Sequence, residues 1–170
     1  GKMLRASLND TRDIVTVSED LQITKEYLRI QLIRYGDRLR VEYDVDERIM
    51  DCRIPAMTLQ PLVENALYHG LNYCTTGDTI TIRAYTENNC LMIDVHDNGQ
   101  GMDIETLTKL QSSLMEEASF TELGHRNKQS IGLKNIHSRI ELYYGKGYGL
   151  TVTSIHGEWT NIQIRLPILK

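Results

Sequence analysis

The stretch LMIDVHDNGQGM, residues 91–102, decides how the rest of the chain is read. Leu91, Ile93, Val95 and Asp97 fall at every second position, so in a strand they share one side. Three of the four are apolar, which puts the Asp97 carboxylate on the side facing the core. A carboxylate there is costly unless something donates hydrogen bonds to it. Amides of the following turn are one source; an exocyclic amine of an adenine ring is another. Gly99 and Gly101 favour the second, because two glycines at this spacing admit unusual backbone angles and a close approach of ligand to main chain.

Working outward, residues 79–86 (TITIRAYT) predict a strand joined to 91–97 through the turn Glu87-Asn88-Asn89. Residues 18–39 read as a helix with Ser18 as N-cap and Glu19 and Asp20 in its first turn. Leu21, Leu28, Leu32, Tyr35 and Leu39 form one apolar stripe of it, and Ile23, Tyr27 and Ile30 a second, a broad face that calls for a partner. A strand over 40–45, a helix from near Pro55 to near Gly70 and a modest helix over 103–116 follow from the same periodicities. Residues 118–129 are polar and irregular enough to be a functional loop. Residues 130–144 are helical, with Gly145 as the stop, and strands over 150–155 and 160–166 close the chain. The fold class expected is an α/β (α+β) two-layer sandwich: a mixed, mostly antiparallel sheet of about five strands, three helices on one face, and a helix before it.

Composition narrows the function. The 170 residues suffice for one domain with a real core, and 41% hydrophobic with 25% charged residues is ordinary for a globular protein. A net charge of −4 argues against nucleic acid as a partner. Cys52, Cys74 and Cys90 lack metal-ligand spacing and read as free, buried thiols. Such thiols fit a reducing cytoplasm, and no apolar run approaches the roughly 20 residues of a membrane helix, so the expectation is a soluble, cytoplasmic domain.

Two further sites carry chemistry. In the helix that carries PLVENALYHG, residues 61–70, Leu59, Leu62, Val63, Ala66 and Leu67 make the buried stripe, and Asn65 and His69 lie one turn apart on its border, with Asn72 near the same line. Border polar residues are often merely half-solvated. An amide oxygen at a pocket rim also suits Mg²⁺, a hard cation that prefers oxygen, and His69 would then face phosphate oxygens. In SIGLKN, residues 130–135, a helix start offers unpaired amides to an anion, Gly132 lets a phosphate come close, and Lys134 adds a point charge. His125, Arg126 and Lys128 make the preceding loop locally basic.

Taken in order, these motifs resemble those of the GHKL nucleotide-binding fold shared by sensor histidine kinases, gyrase, the Hsp90 chaperone and the MutL repair protein. LVENALYHG resembles the N box, DNGQGM the G1 box and SIGLKN the G2 box. EYLRIQLIRYGDRL with IPAMTLQPLVENALYHG closely resembles the LytS/YesM class of bacterial sensor histidine kinases, over about residues 18–167. The resemblance implies ATP and Mg²⁺ as ligands. It makes Asp97 the acceptor for the adenine amine, with Gly99 and Gly101 leaving room for the base. It gives Asn65 the Mg²⁺, Gly132 and Leu133 a place under the phosphates, and Asn65, His69 and Lys134 the catalytic positions. It also implies a division into residues 1–17 as the tail of a dimerisation helix with linker, 18–39 as a connecting helix and 40–170 as the ATP-binding domain.

Two departures from the family pattern bear on activity. ATPase members carry a glutamate four residues before the Mg²⁺ asparagine; Pro61 stands there and does no acid–base chemistry, which favours a kinase. Ser130 stands where the G2 box usually opens with glycine. None of His69, His96, His125, His137 and His156 sits in a phosphoacceptor motif. The chain therefore reads as a catalytic fragment of a membrane-bound, homodimeric kinase. That parent would pass the γ-phosphoryl group of ATP to a histidine outside the fragment, then to a response-regulator aspartate. A serine kinase of the anti-sigma-factor type and a degenerate interaction module are the alternatives.

Overall fold

The centre of the molecule is a five-stranded sheet built from β2 (Leu39–Val45), β4 (Asp78–Glu87), β5 (Cys90–Asp97), β6 (Gly149–Ile155) and β7 (Trp159–Pro167). Its order is β2-β4-β5-β7-β6, with β2 parallel to β4 and every other pair antiparallel. A computed structural model describes residues 13–70, 77–116 and 128–170 of the chain. Asn72, Cys74, His125, Arg126 and most of the loop expected over 118–129 lie outside the described residues.

Alternation builds the two faces of the sheet. On one, Ile82, Val95, Ile162 and Val152 form a rung across neighbouring strands, and Ala84, Ile93 and Ile164 form the next. All seven are buried. The other face carries polar pairs: Tyr85 Oη donates to Asp94 Oδ2 at 3.0 Å, and Gln163 Nε2 donates to Tyr85 Oη at 3.1 Å. The β4–β5 hairpin closes on Asn88 and Asn89, both at positive φ (51° and 61°), the geometry that suits the twist of a two-residue hairpin.

Helices cover the apolar face. They are α1 (Val17–Tyr35), α2 (Leu59–Asn65, widening into a π-type turn over Ala66–Gly70), α3 (Ile104–Met115) and α4 (Lys128–Tyr144). Because β2 and β4 run parallel, the chain must cross back over the sheet between them, and α2 lies in that crossover. Leu59, Leu62, Val63, Ala66 and Leu67, the stripe expected of this helix, are all buried. Val17, Leu21 and Leu28 of α1 join the same core.

Three boundaries differ from expectation, two for local reasons and one for a tertiary reason. The N-cap of α1 is Thr16 rather than Ser18. Thr16 Oγ1 accepts from the Glu19 amide at 3.1 Å while Glu19 Oε1 accepts from the Thr16 amide, a closed capping box. The same helix ends at Tyr35 because Gly36 turns left-handed (φ 61°), so Leu39 opens β2 instead of extending the stripe. Its second stripe divides: Ile23 and Ile30 are exposed, while Tyr27 is half-buried and packs against the core. Finally, α2 starts at Leu59, not near Pro55, because β3 (Arg53–Pro55) pairs with β1 (Ile14–Thr16). The buried Asp20 then caps α2 from across the fold, accepting from the amides of Met57 at 2.8 Å and Leu59 at 3.0 Å. Cys52 and Cys90 are free and buried, as expected.

Candidate functional site

The apolar rungs of the sheet end at Asp97, flanked by Ile80 on β4 and Thr160 on β7. Asp97 is 2% exposed, and its Oδ1 accepts from the Gly99 amide at 3.0 Å. The turn amide expected as one possible donor is therefore present. Burial pushes the carboxyl up to about 6; the Gly99 hydrogen bond opposes this and the nearby Asp78 charge adds to it. At neutral pH the group is mostly ionised, with one oxygen already engaged and the other left as the acceptor available to a ligand.

Asp97 lines a cleft of about 250 Å³ together with Asn65, His69, Gly101, Met102 and Thr160. Asn65 sits at the end of the α-helical part of α2, just before the π-type turn. Its Oδ1 is buried and has no hydrogen-bond partner among the described residues. An unpartnered buried amide oxygen is costly and rare in a folded protein, and it is what a hard cation would take as a ligand. Among the described residues no cluster of three or more acidic, histidine or cysteine side chains could hold a metal by itself. Asn65 thus fits Mg²⁺ of the kind that keeps its water and binds a substrate's phosphates, and does not fit an all-protein cage.

His69 lines the same cleft one turn on, and its carbonyl accepts from Gln100 Nε2 at 2.7 Å, tying α2 to the loop after β5. Burial lowers its imidazole below the usual histidine range, so it stands neutral at pH 7. A second cleft, about 480 Å³, adjoins the first through Asn65 and His69, which line both. Pro61, Glu64 and Gly132 line it from α2 and α4, and Tyr27, Gln31 and Arg34 from α1.

The two glycines do different work. Gly101 is left-handed (φ 66°), and a Cβ there would meet the Ile155 carbonyl oxygen at 2.1 Å, so the loop needs glycine to lie against the β6–β7 turn. Gly99 is buried without positive φ; its contribution is the amide that Asp97 accepts. That corrects the expectation of unusual angles at both.

The third motif is also repositioned. Because α4 begins at Lys128, Gly132 lies within the helix rather than at its start, and its amide is not among the unpaired ones of the first turn. It still lines the second cleft, and nothing lies within 4 Å of where its Cβ would be. Leu133 lines that cleft too but is 1% exposed and belongs to the core. Lys134, expected beside phosphate, points elsewhere. Its buried ammonium donates to the Ser113 carbonyl at 2.5 Å and to the Glu116 carbonyl, satisfying the open end of α3. Periodicity could not show this, since it depends on how α3 and α4 cross.

Sequence reading missed Thr160 and the wall formed by Gln100, Asp103, Thr106 and His156. Thr160 is 4% exposed, and its Oγ1 lies 2.9 Å from Ser154 Oγ, which in turn accepts from the Met102 amide. The only signal for it was the register of β7 against β5.

A family model described as "Histidine kinase-, DNA gyrase B-, and HSP90-like ATPase" matches residues 55–170, and one described as "Histidine kinase" matches residues 1–39. The chain is 37% identical over 167 residues to the sensor histidine kinase YesM of Bacillus subtilis, covering 98% of this chain and 26% of that protein. It is 36% identical to the sensor histidine kinase YpdA of Escherichia coli, over 78% of this chain and 21% of that protein. The chain thus spans about a quarter of the length of these relatives. Two solved structures share its fold. The histidine kinase domain from the Erythrobacter litoralis EL346 blue-light activated histidine kinase gives a TM-score of 0.58 at 16% identity, covering 91% of this chain and 62% of that one. The catalytic domain of histidine kinase ThkA gives 0.59 at 12% identity, covering 92% of this chain and 95% of that one. An Asn-bearing helix, a strand ending on a buried aspartate and a match over residues 55–170 agree: this chain belongs to the histidine kinase-, DNA gyrase B- and HSP90-like ATPase family.

Proposed function

We propose that the chain is the ATP-binding catalytic domain of a two-component sensor histidine kinase. The observation that carries this reading is the Asn65 Oδ1 atom, buried and unpartnered, lining the same cleft as the buried carboxylate of Asp97.

Asp97 accepts a hydrogen bond from the adenine amine with the oxygen that Gly99 leaves free, and the Thr160 hydroxyl lies beside it on the neighbouring strand. Gly101 and Met102 border the base. Asn65 would hold Mg²⁺, which when bound neutralises charge on the phosphates. His69, neutral and half-buried, donates to a phosphate oxygen at the junction of the two clefts. Gly132 presents backbone without a side chain to the tail of the nucleotide.

The reaction moves the γ-phosphoryl group to a histidine nitrogen in a part of the parent protein outside this chain, and from there to a response-regulator aspartate. Positioning and charge neutralisation supply most of what such a transfer needs. Pro61, on the second cleft, offers no proton acceptor to activate water, which favours transfer over hydrolysis. In the parent we place this domain on the cytoplasmic side of a membrane-anchored homodimer. No helix among the described residues is long and apolar enough to cross a membrane.

The test is a calorimetric titration of the chain with ATP, with and without Mg²⁺. Saturable binding that tightens with Mg²⁺ is expected. Absence of binding in both conditions would refute the reading.

A further inference from the structure

Among the described residues, neither cleft has the charge balance that its proposed ligand requires. A triphosphate brings several negative charges, yet the first cleft is lined by Asp97 and Asp103, and the second by Glu64. His69 stands neutral at pH 7, and Lys134 is committed to the end of α3. Among the described residues lining either cleft, one permanent cation is left. It is Arg34, in the last turn of α1.

Its setting suits a ligand better than a structural role. Tyr27, Gln31 and Arg34 are spaced along one side of α1, and all three line the second cleft. Arg34 is exposed and forms no ion pair with any described residue. The one carboxylate on that cleft, Glu64, accepts from Gln60 Nε2 at 3.0 Å instead. A nucleotide whose base meets Asp97 and whose metal meets Asn65 runs its tail onward into this second cleft, because Asn65 and His69 belong to both.

We infer that Arg34 binds the terminal phosphates of the nucleotide, so that α1 is a wall of the ATP site rather than only a connector to it. This rests on the nucleotide reading above and assigns its specificity for triphosphate over monophosphate. The planar guanidinium pairs two phosphate oxygens at once, which a lysine ammonium does not do.

The experiment is calorimetric titration of the chain with ATP, ADP and AMP, on wild type, Arg34→Gln and Arg34→Lys. Loss of one charge-assisted contact should weaken ATP binding roughly ten- to a hundredfold in Arg34→Gln, while AMP affinity stays within about twofold. Arg34→Lys should recover part of the loss. An unchanged ATP affinity in Arg34→Gln overturns the assignment. So does an equal loss for ATP and AMP, which would mark Arg34 as supporting the fold. A wild type that binds none of the three refutes the nucleotide reading itself, an outcome distinct from either.

Discussion

Replacing Asp97 by asparagine should stabilise the empty domain and destroy its nucleotide site at once. The side chains are nearly equal in size, and the amide oxygen still accepts from the Gly99 amide as Oδ1 does now. What the change removes is a charge held at 2% exposure, whose carboxyl is pushed up from an ordinary 3.8 to about 6. The folded domain therefore binds this proton more tightly than the unfolded chain does. Stability from this group is full below about pH 4, falls as pH rises, and is lost above about pH 6. At 1.36 kcal/mol per pH unit, the ionised carboxylate costs the fold about 3 kcal/mol at pH 7, roughly half that at pH 5, and almost nothing at pH 3.5. Urea denaturation of wild type and Asp97→Asn across pH 4 to 7.5 isolates the effect, since titrating groups that do not interact with Asp97 cancel in the difference. The variant should gain on wild type as pH rises. Its amide nitrogen would also face the adenine amine, donor against donor, and ATP affinity should fall by about a hundredfold or more. Parallel stability curves would refute the desolvation argument, and retained ATP binding would refute the role of Asp97 as acceptor.

Three other perturbations probe the rest of the site. Asn65→Ala should remove the gain in ATP affinity that Mg²⁺ brings while leaving adenosine binding intact; titrations with and without the metal read this directly, and an unchanged Mg²⁺ dependence would disprove the ligand role. Lys134→Met should cost about 1–3 kcal/mol in denaturant melts through the unsatisfied carbonyls at the end of α3, with nucleotide affinity little changed in the folded fraction. A large, selective loss of ATP affinity there would return Lys134 to the phosphate site. Gly101→Ala should destabilise the domain by about 2 kcal/mol or more, because the added carbon meets the Ile155 carbonyl at 2.1 Å and the residue is left-handed. A melt unchanged from wild type would show that the loop after β5 moves freely away from the β6–β7 turn.

Several features of this protein were legible one residue at a time. The alternation of Leu91, Ile93, Val95 and Asp97 predicts both the strand and the burial of the carboxylate, because side-chain direction in a strand depends only on position. The stripe on α2 was legible from helical spacing, and Asn65 and His69 on its border do meet Asp97 across one cleft. Periodicity also yielded five strands and two antiparallel hairpins, since turns at 88–89 and 156–158 set β4 beside β5 and β6 beside β7.

Other features required distant segments to meet. Asp20 caps a helix nearly 40 residues downstream, and β1 pairs with β3, so the start of α2 was invisible to any local window. Thr160 reached Asp97 through strand register alone. Lys134 carries the charge that its motif suggests, yet the crossing of α3 and α4 directs that charge to backbone carbonyls. Local chemistry, meaning which residues are acidic, amide or glycine and which side they take, was determined by the sequence by itself. Which of those groups share a cleft was decided only by the tertiary structure, because burial and hydrogen-bond satisfaction are settled between segments that the chain separates by tens of residues.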